Sequence, residues 1–170
     1  MKVLIDEAAI QRRVTELAAD IRAAYGDEPF LFLVVLKGAF MFAADLFRRI
    51  EAPNMHIDFI KLSSYRGTCS TGTVSVPERE LARFAGQNIL IVEDIVDTGL
   101  TLEVFTKALT DAGARSVRIC SFLEKTTVNN GRVTIDFLGF PIPDKFVVGY
   151  GLDCDEMHRD LPHVAVYNEE

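Results

Sequence analysis

Apolar residues near the start of the chain recur every three or four positions, which is the spacing of one face of a helix. Asp6 precedes them and is a suitable N-cap, and Gly26 follows them as a residue type that ends helices. The pattern therefore predicts an amphipathic helix over residues 6–25. Its apolar face is formed by Ile10, Val14, Leu17 and Ile21.

Continuous apolar runs predict strands in the interior of the fold. Residues 30–36 read FLFLVVL, between a proline and a lysine-glycine pair, which is typical of a strand buried on both faces. Residues 88–96 (NILIVEDIV) and 116–123 (SVRICSFL) predict two more buried strands. Residues 55–62 (MHIDFIKL) alternate between apolar and polar positions, as a strand does.

Helices and loops are predicted between these strands. Residues 39–50 and 100–113 read as helices, whereas residues 63–78 are rich in Ser, Thr and Gly and read as a long loop. Strand, helix and strand at these lengths imply a right-handed parallel crossover. After Lys125 the pattern changes to short strands and turns. The sequence thus predicts an α/β fold with a parallel core and a smaller β-rich region built from the C-terminal segment.

Composition narrows the class of protein. The chain has 170 residues and a net charge of -7, which argues against a general affinity for nucleic acid or an anionic membrane. The longest apolar run, residues 30–36, is too short to span a bilayer. Three scattered cysteines suit a reducing compartment better than a disulfide framework. We therefore expect a cytoplasmic protein of one domain.

Candidate chemistry is concentrated in residues 92–102, VEDIVDTGLTL. Ligands of an open parallel sheet bind at the carboxyl ends of its strands, and Glu93 and Asp94 stand at such an end. Asp97 then leads through Thr-Gly into a helix, whose N-terminal N–H groups suit a phosphate. Two adjacent acids can accept hydrogen bonds from a diol or attract a divalent cation, so the segment suits a ribose 5-phosphate. Alternatively, Asp97 is only an N-cap and the acids are a solvated strand end.

This segment resembles the phosphoribosyl diphosphate (PRPP) binding motif of the type I phosphoribosyltransferases. Four other stretches match the purine members of that family in the expected order. They are VVLKGAF (34–40), SSYRGT (63–68), FLEKT (122–126) and PDKFVVGYGLDCDEMHRDLPHV (143–164). Together they cover most of the chain. The sequence is similar to the members that act on hypoxanthine, or on hypoxanthine and guanine.

The resemblance implies a type I phosphoribosyltransferase fold in which residues 1–170 form a single domain. Its parallel sheet core would span about 28–124, flanked by helices, with a small β-rich hood from the N-terminal and C-terminal segments. The implied reaction joins N9 of a 6-oxopurine to C1′ of PRPP with inversion, and gives IMP or GMP and pyrophosphate. The implied cofactor is Mg²⁺, and the implied assembly is a homodimer or homotetramer.

The resemblance also implies roles for individual residues. Asp97 would be the catalytic group, a carboxylate near purine N7 that accepts a proton. The ribose and 5-phosphate contacts would be Glu93, Asp94, Asp97, Thr98, Gly99, Leu100 and Thr101. The pyrophosphate contacts would be Leu36, Lys37, Gly38 and Arg159. In relatives the peptide that matches Leu36-Lys37 can be cis.

The remaining implied roles concern the base, the metal and a lid. Lys125 would donate to purine O6, Phe146 would stack on the ring and the backbone near Val147 would read its remaining edge. Asp153 would hold Mg²⁺, with Glu93 and Asp94 as further candidates; the nearby Asp155 and Glu156 read as a solvated acidic turn. The loop that closes over the site would include Ser63, Ser64 and Tyr65.

Alternatives remain open both for single residues and for the protein as a whole. Lys37 can be a charged strand terminus, Arg159 a surface ion-pair partner and Phe146 a core aromatic. Lys125 and Phe146 suit any 6-oxopurine, so a guanine- or xanthine-preferring enzyme is the alternative within enzymes. A non-catalytic regulator of the same fold, which senses nucleotides and binds RNA, is the alternative from another class, and the net charge of -7 speaks against it.

Overall fold

The computed structural model describes residues 1–62 and 78–167, in which it places eight strands and five helices. The strands are β1 (Lys2–Ile5), β2 (Phe30–Leu36), β3 (Met55–Lys61), β4 (Asn88–Val96), β5 (Ser116–Lys125), β6 (Phe137–Ile142), β7 (Val147–Val148) and β8 (Val164–Val166). The helices are α1 (Glu7–Tyr25), α2 (Phe40–Ile50), α3 (Glu78–Leu81), α4 (Leu100–Asp111) and α5 (Thr126–Asn129). A 3₁₀ turn, Ala82–Phe84, follows α3.

The core is a five-stranded sheet in the order β3-β2-β4-β5-β6, and each neighbouring pair is parallel. The predicted α/β fold with a parallel core is therefore confirmed. The central strands are apolar at nearly every position because helices cover both faces of the sheet. In β2, for example, every residue from Phe30 to Val35 is buried.

Successive side chains of β2 enter two different cores, because neighbouring residues of a strand point to opposite faces. Phe32 and Val34 pack with α1 and α2 on one face. Leu33 and Val35 pack with α4 on the other. The N-terminal helix begins as predicted, because the Asp6 carboxylate accepts a hydrogen bond from the backbone N–H of Ala9 at 2.8 Å.

A second, antiparallel sheet of three short strands has the order β1-β8-β7 and forms a hood. It combines the first residues of the chain with the last described ones, as the resemblance implies. Strand β1 is not predicted from the sequence, because its four residues, KVLI, show no alternation of apolar and polar positions. Its partner β8 begins at Val164, so the pairing depends on contacts between distant parts of the chain.

The prediction that everything after Lys125 belongs to the smaller region is wrong for β6. This strand pairs in parallel with β5 and forms the edge of the main sheet, so the sheet extends to Ile142, past the expected limit of residue 124. Arg13 of α1 covers it by donating to the carbonyl oxygens of Leu138 and Gly139. An edge strand is only half buried, which explains its weak sequence signal.

Parallel strands bring their carboxyl ends to one edge of the sheet, and three of them end beside the hood there: β2 at Leu36, β4 at Val96 and β5 at Lys125. The backbone of Gly151, which follows β7 of the hood, packs directly against the backbone at this edge. A Cβ on Gly151 would lie 2.2 Å from the carbonyl oxygen of Gly38. Its φ of +101° also favours glycine. No helix within the described ranges is long and apolar enough to cross a membrane.

Candidate active site

The carboxyl edge of the sheet carries a cleft made of two adjoining cavities. The first has a volume of about 260 Å³ and is lined by the ends of β2 and β4 and the start of α4. The second, of about 230 Å³, is lined by the end of β5 and by hood residues. Asp94, Ile95 and Asp97 line both cavities. The two cavities therefore adjoin, and two carboxylates stand where they meet.

The first cavity contains most of the residues predicted to hold a ribose 5-phosphate. Glu93, Asp94, Asp97, Thr98, Gly99 and Thr101 all line it. Gly99 has a φ of +74° and is the N-cap of α4, which begins at Leu100. The alternative that Asp97 is merely the N-cap is therefore wrong. The first-turn N–H groups of a helix have no intrahelical acceptor, so this end of the cavity suits an anion.

Glu93 and Asp94 are half-buried within β4 rather than forming a solvated strand end. A carboxylate oxygen of Glu93 accepts from the N–H of Asp94 at 3.0 Å, and one of Asp94 accepts from the N–H of Ile95 at 2.8 Å. Desolvation, and then the negative charge of Asp94, raises the pKa of Glu93 well above its usual range. Desolvation likewise raises the pKa of Asp94. Hydroxyl donors or a cation would lower the cost of ionising both groups.

Gly38 makes the closest approach in this half of the cleft. A Cβ on it would lie 1.6 Å from Oδ2 of Asp94, so only glycine leaves that carboxylate in place. The peptide bond between Leu36 and Lys37 is cis, the conformation that the resemblance raised. Leu36, Lys37 and Gly38 line the first cavity together with Asp94.

The two predicted pyrophosphate cations are brought together by a residue that sequence reasoning missed. Lys37 Nζ lies 2.9 Å from one carboxylate oxygen of Glu156, and Arg159 Nη2 lies 3.1 Å from the other. Lys37 lines the first cavity, and Glu156, although 64% exposed as a solvated turn predicts, forms an ion pair with both cations. Its carboxylate occupies the space between two cations, as an anionic ligand would. The hydrogen bonds from Lys37 and Arg159 lower the pKa of Glu156.

Asp153, the predicted magnesium ligand, lines the second cavity together with Asp94 and Asp97. One of its oxygens lies 2.8 Å from Arg159 Nη2, and the other accepts from the N–H of Glu156 at 2.9 Å. Within residues 1–62 and 78–167, no three histidine, cysteine or acidic side chains cluster in a way that could hold a metal ion. Mg²⁺ needs only one or two protein carboxylates when a substrate phosphate completes its shell, so this all-oxygen donor set fits it.

The base half of the cleft contains Lys125 at the end of β5. Its ammonium lies 3.3 Å from Oδ2 of Asp97 and 3.0 Å from Oδ1 of Asp144. Desolvation alone would lower the pKa of Lys125, but the hydrogen bonds to Asp144 and Asp97 outweigh it and raise that pKa. Asp144 is a second residue that sequence reasoning missed. It stands within the quoted stretch 143–164, but no local pattern distinguishes it.

Phe146 and Val147 line the same half of the cleft. The Phe146 side chain is 56% exposed, so the alternative that it is a core aromatic is wrong. Its ring meets that of Tyr167 edge to face, with the centroids 5.9 Å apart. Val147 is buried in β7, where it pairs with Val166. The predicted lid residues Ser63, Ser64 and Tyr65 lie outside the described residues.

The paired acids lie beside a helix N-terminus, at the point between β2 and β4 where the strand order of the parallel sheet reverses. This arrangement is typical of a phosphoribosyl-binding class of protein. Comparison with known proteins agrees, since residues 4–155 match the family model described as a phosphoribosyl transferase domain. The chain therefore belongs to the phosphoribosyltransferase family.

Within that family the chain groups with the hypoxanthine-guanine phosphoribosyltransferases. It is 42% identical to the enzyme of that name from Bacillus subtilis over 166 residues, which cover 97% of this chain and 92% of the relative. It is 41% identical to the Homo sapiens protein over 177 aligned positions, covering 99% and 81%. A crystal structure of the Bacillus anthracis hypoxanthine-guanine phosphoribosyltransferase superposes with a TM-score of 0.87 at 38% identity, covering 98% of both chains.

Proposed function

We propose that this protein is a hypoxanthine-guanine phosphoribosyltransferase of purine salvage. It transfers the 5-phosphoribosyl group of PRPP to N9 of hypoxanthine or guanine, and releases IMP or GMP and pyrophosphate. The observation that carries the proposal is the pair of adjoining cavities that share Asp94 and Asp97: the first, the phosphate half of the cleft, lies at the start of α4, and the second, the base half, contains Lys125. The bond from C1′ to pyrophosphate breaks, the bond from C1′ to N9 forms, and the purine loses a proton.

The first cavity supplies the ribose and 5-phosphate contacts. Glu93 and Asp94 accept hydrogen bonds from the two ribose hydroxyls, which offsets the desolvation that raises their pKa values. The 5-phosphate lies against the backbone from Asp97 to Thr101, where the first turn of α4 offers N–H donors and the positive end of the helix dipole. Thr98 and Thr101 add hydroxyl donors.

The leaving pyrophosphate needs positive charge aimed at its oxygens, and one well-placed donor can be worth roughly 3 kcal/mol of barrier. Lys37 and Arg159 supply that charge, with the backbone of Leu36 and Gly38 beside them. Glu156 already holds these two cations at 2.9 and 3.1 Å, so they converge on one anion. Asp153 is the proposed ligand of Mg²⁺, which when bound would neutralise pyrophosphate charge.

The second cavity selects the base. Lys125 donates to O6, which excludes adenine because its 6-amino group would set a donor against a donor. Phe146 stacks on the ring, and backbone groups near Val147 contact the remaining edge. Asp97 is 54% exposed at the junction of the two cavities, where its carboxylate accepts the proton as the new bond forms.

We also propose that the chain acts as one domain in a cytoplasmic homodimer or homotetramer. The support for assembly is a set of exposed apolar side chains at the start of α2 and on the edge strand β3. Phe40, Ile57 and Phe59 are 39%, 42% and 49% exposed there. An edge strand with exposed apolar side chains is the kind of surface that proteins usually cover.

A spectrophotometric assay with PRPP, Mg²⁺ and separately hypoxanthine, guanine, xanthine and adenine tests the activity. We expect turnover of the 6-oxopurines with adenine inert. An Asp97→Asn variant should lose roughly 10²- to 10⁴-fold in kcat because it cannot accept the proton. Asp20→Asn, on the exposed side of α1, is the control and should behave as the wild type.

The same assay separates the alternatives. Xanthine or guanine turning over much faster than hypoxanthine would favour the guanine- or xanthine-preferring enzyme. If no purine turns over while PRPP still raises the melting temperature, the cleft binds PRPP without catalysing transfer. That result would refute the proposed function in favour of the nucleotide-sensing regulator.

A further inference from the structure

Lys125 lies between two carboxylates, and only one of them belongs to the proposed chemistry. We infer that Asp144 is a positioning residue for this reaction: it holds the ammonium of Lys125 toward purine O6 and lets Asp97 leave the ion pair. The inference rests on the proposed function, because it assigns Asp144 a role through its contact with Lys125 in the base half of the cleft. The carrying observation is that Asp144 contacts Lys125 Nζ at 3.0 Å, on the same ammonium that Asp97 contacts at 3.3 Å.

The backbone places Asp144 where this contact follows from the fold. Lys125 and Ile142 are direct partners in the parallel pairing of β5 with β6. The chain turns immediately after Ile142, and the N–H of Lys145 donates to the carbonyl oxygen of Pro143 at 2.8 Å. Asp144 therefore stands at the tip of a tight turn beside the end of β5. Phe146 follows two residues later, so the turn connects the base-reading lysine to the stacking ring.

The need for a second carboxylate follows from the two tasks of the site. The side chain of Lys125 is only 12% exposed, so its charge requires an anionic partner. Asp97 serves that purpose in the free protein, but once it accepts a proton from the purine it is neutral and no longer compensates the charge of the ammonium. An ammonium has three donors, so Lys125 can keep Asp144 and O6 together while it releases Asp97.

Removing the Asp144 charge should therefore weaken the binding of the purine and leave the binding of PRPP unchanged. Of the two carboxylates that contact Lys125, Asp97 alone would remain charged. It would then compete with purine O6 for the Lys125 ammonium. An Asp144→Asn variant should raise KM for hypoxanthine by roughly three- to tenfold, the effect of losing one partly exposed charged hydrogen bond. Its KM for PRPP should stay within about twofold of the wild type, because Asp144 does not line the first cavity.

The test measures both KM values and kcat for the full-length wild type and for Asp144→Asn, Asp144→Glu and Asp20→Asn. Asp144→Glu should restore most of the hypoxanthine KM, because it keeps the charge on a longer side chain. Asp20→Asn controls for loss of any exposed carboxylate. Melting temperatures of all four proteins show whether each variant folds.

Three results would overturn the inference. An Asp144→Asn variant with the wild-type KM for hypoxanthine would show that Asp97 and the fold suffice to place Lys125. Equal losses for hypoxanthine and PRPP with a lowered melting temperature would show a structural role only. A failure of Asp144→Glu to restore the KM would exclude a role of the charge. Separately, a wild type that turns over no purine would refute the proposed function and this inference with it.

Discussion

Gly38 offers the sharpest test of how the turn between β2 and α2 and the end of β4 depend on each other. Alanine at this position would place its Cβ 1.6 Å from Oδ2 and 2.6 Å from Cγ of Asp94. The φ of Gly38 lies outside the left-handed region, so the backbone itself accepts alanine. The clash therefore acts on Asp94, whose other oxygen is held by the N–H of Ile95 at 2.8 Å. We expect the carboxylate to rotate away from its position in the cleft.

The displacement should reduce catalysis and cost only a limited amount of stability. A hydrogen bond to a charged group contributes about 1.5–3 kcal/mol, so losing the bond from a ribose hydroxyl to Asp94 should lower kcat/KM for PRPP by roughly 10- to 150-fold. The free energy of unfolding should fall by at most about 1.5–3 kcal/mol, because the hydrogen bond from the Ile95 N–H to the same carboxylate is the main internal contact at risk. The KM for hypoxanthine should change little.

A double-mutant cycle tests this reasoning directly. The kinetics of Gly38→Ala, Asp94→Ala and the double variant are measured with PRPP varied at saturating hypoxanthine. If the alanine methyl acts through Asp94, Gly38→Ala should cost nothing further once that carboxylate is gone. Additive losses, or wild-type kinetics in the single Gly38→Ala variant, would refute the steric argument.

Three further predictions concern the base, the pyrophosphate cations and stability. Phe146→Ala should raise KM for hypoxanthine by roughly 10-fold or more, since stacking on an aromatic ring is worth about 1–3 kcal/mol per base. Glu156→Gln should tighten the binding of pyrophosphate by up to about fivefold, measured by calorimetry, because Lys37 and Arg159 lose an exposed carboxylate that competes for them. Asp45→Asn should lower the melting temperature at neutral pH, and this difference should shrink as the pH falls below about 4.

The pH dependence follows from the hydrogen bonds to Asp45. Desolvation raises its pKa, but hydrogen bonds from Tyr150, Gln11 and Arg48 outweigh this and hold it below the usual value of 3.8. A depressed carboxylate pKa stabilises the fold above the unfolded value, and that stabilisation is lost as the pH falls through the folded value. A melting-temperature difference between wild type and Asp45→Asn that stays constant from pH 7 to about pH 2 would contradict this assignment.

The other two predictions have matched controls. Phe146→Tyr keeps an aromatic face and should retain most hypoxanthine affinity, so an equal loss in the tyrosine and alanine variants would argue against stacking. Asp155→Asn removes the neighbouring exposed carboxylate and should leave pyrophosphate binding unchanged. If Glu156→Gln binds pyrophosphate no more tightly than Asp155→Asn does, Glu156 does not compete for the two cations.

Local sequence patterns were enough to predict the elements that are buried or bounded by strong signals. The runs that form β2 and β4 are apolar on both faces because helices cover both sides, so no partner needs to be known to recognise them. The Asp6 cap and its helix are local for the same reason. Parallel strands end at one edge, so Glu93 and Asp94 could be expected near a ligand before the fold was known.

What only the tertiary structure decided is how distant parts of the chain meet. Strand β6 is a half-buried edge, so its place in the main sheet depends on pairing with β5 and not on its own pattern. Lys37 and Glu156 are 119 positions apart, and Lys125 and Asp144 are 19 apart, yet each pair forms an ion pair in the cleft. Periodicity and motifs report on neighbours along the chain, whereas these contacts exist only once the sheet and hood have closed around the site.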